Sequence, residues 1–582
     1  MQLKHILISA LVFFAALSCG RKQAEETRYL ASPRPSVLLY SYCEDEDVPQ
    51  IADTMVRGTE VRICPSDVKR IGKHLKYVHV KVGKNDYYAD ENSLCTEPRA
   101  CVQEASMFVR TPASIISDTL TAKVVGLAPK GAELTICDYD TTFTDGRVRR
   151  YKVSYDGIEG YVYGKYLVFD KAEADAIYRP DFHAAVHAKV RNPFGGGRAE
   201  GCDFYPVEKP SFKDNVMPEA CYSIYLNISP AVIGNIDAYI RWAKETRINT
   251  FVIDIKDDQC PGYRADAMKK HSPTSWQRAG ANKEQMYAKA VRRLHEEGFY
   301  VVGRITCFKD TYFVKDHPEA AITDAATGKP YLHNKSYWPS AFDRSIWQYN
   351  VELALEAVRK FGFNEINFDY VRFPDRMTGI EDKIDYHSRY GESKVQAIQR
   401  FVAYACDEIH AAGAYVSIDV FGECAGGGYT TAYGQYWPAL SNIVDVMCGM
   451  PYPDHFANNS YGIQQPWNHP YQILHAWGSR VMDRQKETAT PARVRTWIQC
   501  YHVMKHVDPN GIDYNAENVE KEIRGLFDAG CTGGFMTWQP SSSLEKYRSL
   551  SPAFSIDYLH KASAAESSDS SDFSDEPATS AE

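Results

Sequence analysis

Apolar residues along this chain fall into two rhythms. Through residue 168 they come in short alternating runs: Ser36–Tyr40, Thr59–Ile63 and Tyr77–Val82, then Ser106–Arg110, Ala132–Ile136, Tyr151–Tyr155 and Gly160–Leu167. A period of two broken by Gly- and Asp-bearing turns predicts half-buried antiparallel strands. The second set repeats the layout of the first after about seventy residues, which predicts a tandem of two small all-β modules. From Tyr222 the rhythm changes. Strand-like runs at Tyr222–Asn227, Thr250–Lys256, Tyr300–Phe308, Glu365–Pro374, Tyr415–Phe421, Val444–Met450, Arg495–Tyr501 and Gly533–Trp538 alternate with helical patterns. Eight such units, with no glycine-rich phosphate loop after the first, predict a closed (β/α)8 TIM-type barrel rather than a doubly wound sheet.

The expected organisation is therefore multidomain, an all-β tandem followed by an α/β barrel. Residues 1–19 form a signal peptide, 20–35 a polar tether, 36–98 and 105–168 the β modules, 169–220 a connector and 221–560 the barrel. Residues 561–582 form an acidic tail too poor in apolar area to fold. At the amino end, Lys4 precedes the apolar run Ile6–Leu17 and then Ser18-Cys19-Gly20. The run is short for a membrane span and fits a signal-peptide core. A small residue before Cys19 resembles a bacterial lipoprotein cleavage site, which implies lipidation of Cys19 and an envelope location on either the periplasmic side or the cell surface. Plain secretion is the alternative.

A net charge of -9 leaves no basic stripe to neutralise phosphates, which argues against nucleic acid as a partner. Export would permit disulfides, and Cys43 with Cys64, Cys95 with Cys101, and Cys202 with Cys221 are the nearest pairs. Cys307, Cys448 and Cys500 fall in expected barrel strands as buried thiols. His183 and His187 share a helix face, but no third ligand lies nearby, so no metal site is expected. No cofactor is expected either, since phosphate-loop and dinucleotide fingerprints are missing.

Candidate chemistry centres on Glu365–Pro374. Alternation puts Glu365, Asn367 and Asp369 on one face and Ile366, Phe368 and Tyr370 on the other. A carboxylate near the carboxyl end of a barrel strand is placed like an active-site acid; the plainer reading is a helix cap or a partner for Arg372. Other strand ends bring Asp254, Lys256, Asp257 and Asp258, then Arg304, Lys309 and Asp310, then Asp419 and Glu423. The last three supply Tyr452 in Pro451–His455, Gln499 with Tyr501, and Trp538 with Gln539. Paired carboxylates without a metal suit glycosidic bond cleavage, one protonated and one ionised. Arg372 would keep Asp369 ionised, and partial burial beside Asp369 would raise the pKa of Asp419 and suit it to proton donation. Glu423 is the reserve acid. Asp254, Lys256, Asp257, Arg304, Arg372, Tyr452, Gln499 and Trp538 are the expected substrate contacts. Among Trp338, Trp347, Tyr452, Trp467 and Trp538, some would stack on sugar rings and the rest form core.

Two resemblances bear on these expectations. Gly160-Tyr-Val-Tyr-Gly-Lys-Tyr-Leu167 resembles the closing turn of bacterial SH3-like domains, with a worn version at Tyr87–Leu94, implying peptidoglycan or envelope binding or a spacer role. Asn249–Asp258, Gly303–Asp310, Gly362–Pro374 and Asp419–Gly422 resemble the motifs of a bacterial glycoside hydrolase barrel family, distantly similar to α-amylase-type barrels. The likeness runs from about Tyr222 to Tyr558 and implies that Asp369 holds the nucleophile position. Cys500, where that family tends to have Asp, and Gln539, where Asn is usual, depart from it. The expected activity is hydrolysis of an envelope or environmental polysaccharide. A non-catalytic carbohydrate-binding barrel is the rival, and a scaffold that spaces the SH3-like pair is a third reading.

Overall fold

The computed structural model describes residues 25–42, 49–71, 75–176, 199, 201–258, 260–377, 379–426 and 433–560. The expected signal peptide with Cys19, the expected acidic tail, Cys43, His183 and His187 lie outside them. The chain divides into two compact units, the first drawn mainly from the N-terminal sheets and the second from the barrel.

Two seven-stranded sheets fill the N-terminal region, one between Glu26 and Cys95 and one between Ser106 and Val168, paired antiparallel. Counted within each sheet, the strand order is identical: third, second, sixth, fifth, fourth, first, seventh. That identity is what a duplicated sequence produces. The two stretches singled out in the sequence fold alike, each as a strand followed by one 3₁₀ turn and a two-residue strand (Asn85–Cys95 and Ile158–Val168). Leu30, Val37, Leu39, Val61, Val80 and Ala89 form the core of the first sheet. The expected tether is corrected here. Glu26–Leu30 is a strand that pairs with Glu60–Ile63 on one side and Leu94–Cys95 on the other. Only Leu30 of that strand is buried, so its polar composition hid it. Arg57 ties the two modules within this unit. It donates to Glu104 at 2.6 Å and to the Gly146 carbonyl at 2.7 Å, while the Tyr151 hydroxyl donates to the same Glu104 oxygen at 2.6 Å.

Among the described residues the barrel has eight parallel staves: Cys221–Leu226, Thr250–Asp257, Tyr300–Thr306, Glu365–Asp369, Tyr415–Phe421, Val446–Met450, Arg493–Gln499 and Gly534–Trp538. The seventh is broken at Arg495. Arg493–Val494 pairs with the sixth stave and Thr496–Gln499 with the eighth. The Arg495 N–H still bonds the Met447 carbonyl at 3.0 Å, so the sheet closes through this residue. The central stave is framed by well-specified helix ends. Arg344–Phe361 stops at Gly362, whose φ of 81° is left-handed and free of a Cβ clash. Lys394–Ala411 starts from a capping box between Ser393 and Gln396.

Inside the cylinder, Glu365, Asn367 and Asp369 follow one another up the same face, as alternation requires. Glu365 sits deepest. Arg495 grips it with two hydrogen bonds of 2.7 and 3.1 Å, and the Ser417 and Tyr300 hydroxyls donate to it as well. Both charges are fully buried, so each depends on the other. We expect Glu365→Gln to cost about 3–5 kcal/mol by leaving the guanidinium without a counter-charge, read as a lower denaturation midpoint of the full chain. Retention of wild-type stability would show that the pair is dispensable.

Cys307, Cys448 and Cys500 are buried free thiols. The proposed Cys202–Cys221 pair does not form. Cys221 is packed inside the barrel with Val252 and Trp497, whereas Cys202 packs with Phe204, Val395 and Tyr436.

Candidate active site

One guanidinium organises the carboxyl end of the barrel. Arg304, from the third stave, donates through Nη1 to Asp254 at 2.6 Å and through Nη2 to Asp369 at 2.5 Å. Asp257 lies 3.7 Å from Nη1 and Asp419 lies 3.9 Å from Nε. Four carboxylates from three other staves thus surround one cation. Burial disfavours the charge on Arg304, but Asp254, Asp369 and Asp257 outweigh it and push its pKa well up.

Each acid has a different setting. Asp369 holds Arg304 with Oδ2 and accepts the Tyr370 backbone N–H on Oδ1 at 2.6 Å; its side chain keeps 9% exposure. Asp254 is buried and takes the Tyr225 hydroxyl on its second oxygen, and desolvation raises its pKa to about 6 against the pull of Arg304. Asp257 is 43% exposed at the rim and accepts from the Thr306 hydroxyl at 3.2 Å. Asp419 is the most enclosed. Its side chain is 1% exposed, and Oδ1 accepts from Asn367 at 2.9 Å and from the Trp497 indole at 2.8 Å. Its Oδ2 has no hydrogen-bond partner among the described residues. Burial first, and repulsion from Asp369 second, push its pKa well above the usual carboxylate range. Phe368 and Ile418 are register partners, so Asp369 and Asp419 emerge one residue later on adjacent staves.

Several expected contacts are relocated. Arg372 does not meet Asp369. It lies over the rings of Phe421 at 4.3 Å, Tyr370 at 4.8 Å and Trp338 at 5.1 Å, and pairs with Asp375 at 3.3 Å. The strand has ended by then, so proximity in sequence no longer means a shared face. Lys256 also turns away. The second stave carries a register shift between Asp254 and Lys256, and one extra residue reverses the alternation beyond it. Lys256 therefore pairs with Asp310 at 2.6 Å over the Tyr349 ring, and Asp257 takes the inward place. Gln499 is fully buried; its amide oxygen accepts the Asp454 backbone N–H at 3.3 Å and its amide donates to the Tyr501 carbonyl at 3.2 Å, so it holds a loop rather than offering a contact. Glu423 is exposed on the 3₁₀ turn after the fifth stave and hydrogen-bonds Tyr433.

Of the expected stacking aromatics, Trp347 and Trp338 are buried, as are Tyr452 and Trp467. Tyr452 belongs to the cluster inside the barrel. Trp538 stays half-buried at the mouth, tilted on Tyr225 at 5.0 Å and edge-on to Trp497 at 5.7 Å, with the Arg304 guanidinium 5.7 Å from its ring. Sequence reasoning missed Asn367, Trp497 and Tyr225 as the donors that hold the acids. Alternation along the fourth stave already placed Asn367 below Asp369; nothing local marked Trp497 or Tyr225. No cluster of three or more His, Cys, Asp or Glu among the described residues is arranged to hold a metal ion.

No curated protein sequence matches the chain. A crystal structure of a hypothetical protein from Ruminiclostridium thermocellum ATCC 27405 is similar at 30% identity over 34% of this chain and 97% of that one, with a TM-score of 0.29. The PgaB (BpsB) glycoside hydrolase domain from Bordetella bronchiseptica is similar at 10% identity over 57% of this chain and 99% of that one, with a TM-score of 0.40. A chitobiase from Flavobacterium johnsoniae is similar at 11% identity over 60% of this chain and 50% of that one, with a TM-score of 0.39. The family described as "Putative glycosyl hydrolase domain" matches residues 223–544, from the first stave to just past the last. That span takes in Arg304 and all four acids around it, and the chain belongs to this family.

Proposed function

We propose that the barrel cleaves a glycosidic bond in a polysaccharide, with Asp369 facing the anomeric carbon and Asp419 as the proton donor. The observation that carries this reading is the contrast between two acids on adjacent staves, whose chains lie only ~4.8 Å apart. Asp369 is anchored to a cation and keeps 9% of its side chain exposed. Asp419 meets the Arg304 guanidinium only at 3.9 Å, and burial favours its neutral form. A glycosidase needs this division of labour. In the first step the Asp419 proton passes from Oδ2 to the leaving oxygen, while the Asp369 carboxylate attacks or stabilises the positive charge that grows on the sugar. In this reading Asp257 at the rim meets sugar hydroxyls and the Trp538 ring stacks on a ring face. Arg304 fixes Asp254 and Asp369 and in this reading makes its contribution through them.

The rival reading, a carbohydrate-binding barrel without turnover, draws on the 1% exposure of Asp419. Incubating the protein with bacterial wall glycan and common polysaccharides, and measuring new reducing ends, separates the two. Release of sugar supports hydrolysis. Binding to a glycan with no new ends would favour the rival. The N-terminal modules are assigned to wall or envelope binding on the likeness of Gly160–Leu167 to SH3-like turns, and attachment by a lipid on Cys19 on the Ser18-Cys19-Gly20 signal.

A further inference from the structure

We propose that Tyr370 is a positioning residue that locks the Asp369 carboxylate in its working orientation. The inference rests on the glycosidase reading of Asp369. Tyr370 has a φ of 50°, in the left-handed region that bulky L-residues avoid. Its carbonyl still accepts the Phe308 N–H at 3.2 Å, just as the Asp369 carbonyl accepts the Cys307 N–H at 2.8 Å. Beyond the ends of the two staves the backbones therefore stay joined on the carbonyl side. The peptide plane between Asp369 and Tyr370 aims the Tyr370 N–H at Asp369 Oδ1, 2.6 Å away, and the left-handed φ turns the chain beyond Tyr370 while that plane stays in place. With Arg304 on Oδ2, both oxygens of the carboxylate are tied, and it cannot rotate about its own Cβ–Cγ bond without losing a charge-assisted hydrogen bond.

A strained conformation persists only if its surroundings over-determine it. The Tyr370 ring supplies that restraint. Arg372 lies 4.8 Å from its centroid, Lys309 lies 4.9 Å from it, and Trp338 meets it edge-on at 5.9 Å. Lys309 is itself fixed by Asp258 at 3.1 Å and Arg372 by Asp375 at 3.3 Å. This gives Arg372 a purpose other than the one expected from the sequence: it holds the residue that aims the acid.

Three variants test the inference. Tyr370→Phe keeps the turn and the ring contacts and should keep wild-type kcat. Tyr370→Val, β-branched and hostile to a left-handed backbone, should lower kcat by about 10²-fold, the scale of a small misplacement of a reacting group, with KM unchanged. Tyr370→Gly adopts the turn freely but loses the ring, and should fall between the two. Wild-type kcat in the Val variant, or equal losses in Gly and Val, would overturn the proposal. A second readout does not need turnover: the rate at which a water-soluble carbodiimide modifies Asp369, followed by peptide mass mapping. It should rise in the order Phe, Gly, Val as the carboxylate loses its anchor, and identical rates would likewise overturn the assignment. If the wild-type chain releases no sugar, the glycosidase reading fails, and the labelling order still decides whether Tyr370 holds Asp369.

Discussion

Asp369→Asn should abolish hydrolysis, with kcat falling on the order of 10⁴-fold or more, the scale seen when a reacting group is removed and only binding and surrounding dipoles are left. The substitution is nearly isosteric. Its amide oxygen can still accept from Arg304 or from the Tyr370 N–H, and Arg304 keeps Asp254 at 2.6 Å as a counter-ion. The pocket should therefore keep its shape and its affinity for the glycan. In the proposed mechanism, what disappears is the negative charge that meets the developing oxocarbenium ion and the lone pair that attacks it. The result to look for is a collapse of kcat with the dissociation constant of a bound oligosaccharide, measured by calorimetry, changed by less than about tenfold. Turnover within tenfold of wild type would remove Asp369 from the chemistry. Loss of binding together with turnover would mean that the residue serves the pocket rather than the reaction.

What the sequence made legible was whatever depends on local rhythm. Eight apolar runs of strand length announced eight staves, and the seventy-residue echo announced two sheets that share one strand order. Asp369 and Asp419 could be paired because strand alternation and stave order are both readable from the chain. What stayed hidden depends on contacts between distant segments. The cation of the site was expected three residues from Asp369, as Arg372, but it comes from Arg304, 65 residues away in sequence. A bulge reversed Lys256 and Asp257, and a bulge leaves no signature in the pattern of apolar residues. Glu26–Leu30 read as a tether because a strand that buries one side chain carries almost no periodic signal. The left-handed turn at Tyr370 was invisible for a sharper reason: local propensity argues against it, and only the rings and cations around it make it tenable. Such disagreements between local preference and observed structure concentrate at functional sites.

Asp419→Asn should lower the rate on an unactivated glycan by about 10²–10⁴-fold, the usual contribution of a positioned acid. A substrate with a good leaving group, such as a nitrophenyl glycoside, needs little protonation and should lose far less. That asymmetry distinguishes a proton donor from a residue that merely shapes the pocket. The same variant carries a second signature in stability. Because burial raises the folded pKa of Asp419 well above its ordinary 3.8, the native state holds this proton more tightly than the unfolded chain does. Wherever the native state binds more protons, stability falls as pH rises. The stabilisation is fully present below the ordinary carboxylate range and is lost as pH climbs through the raised folded value. Asp254, raised to about 6, adds its own decline between about 4 and about 6, and does so in both proteins. Asn cannot ionise, so the variant should lack the Asp419 part of the slope. Its Oδ1 can go on accepting from Asn367 and Trp497, which keeps the comparison close to one of charge alone. Unfolding titrations of the two proteins across pH 4 to 9 should therefore diverge in the variant's favour as pH rises. Parallel curves would show that Asp419 ionises in the native state as easily as in the unfolded chain, leaving no reservoir of protons for a leaving group at neutral pH.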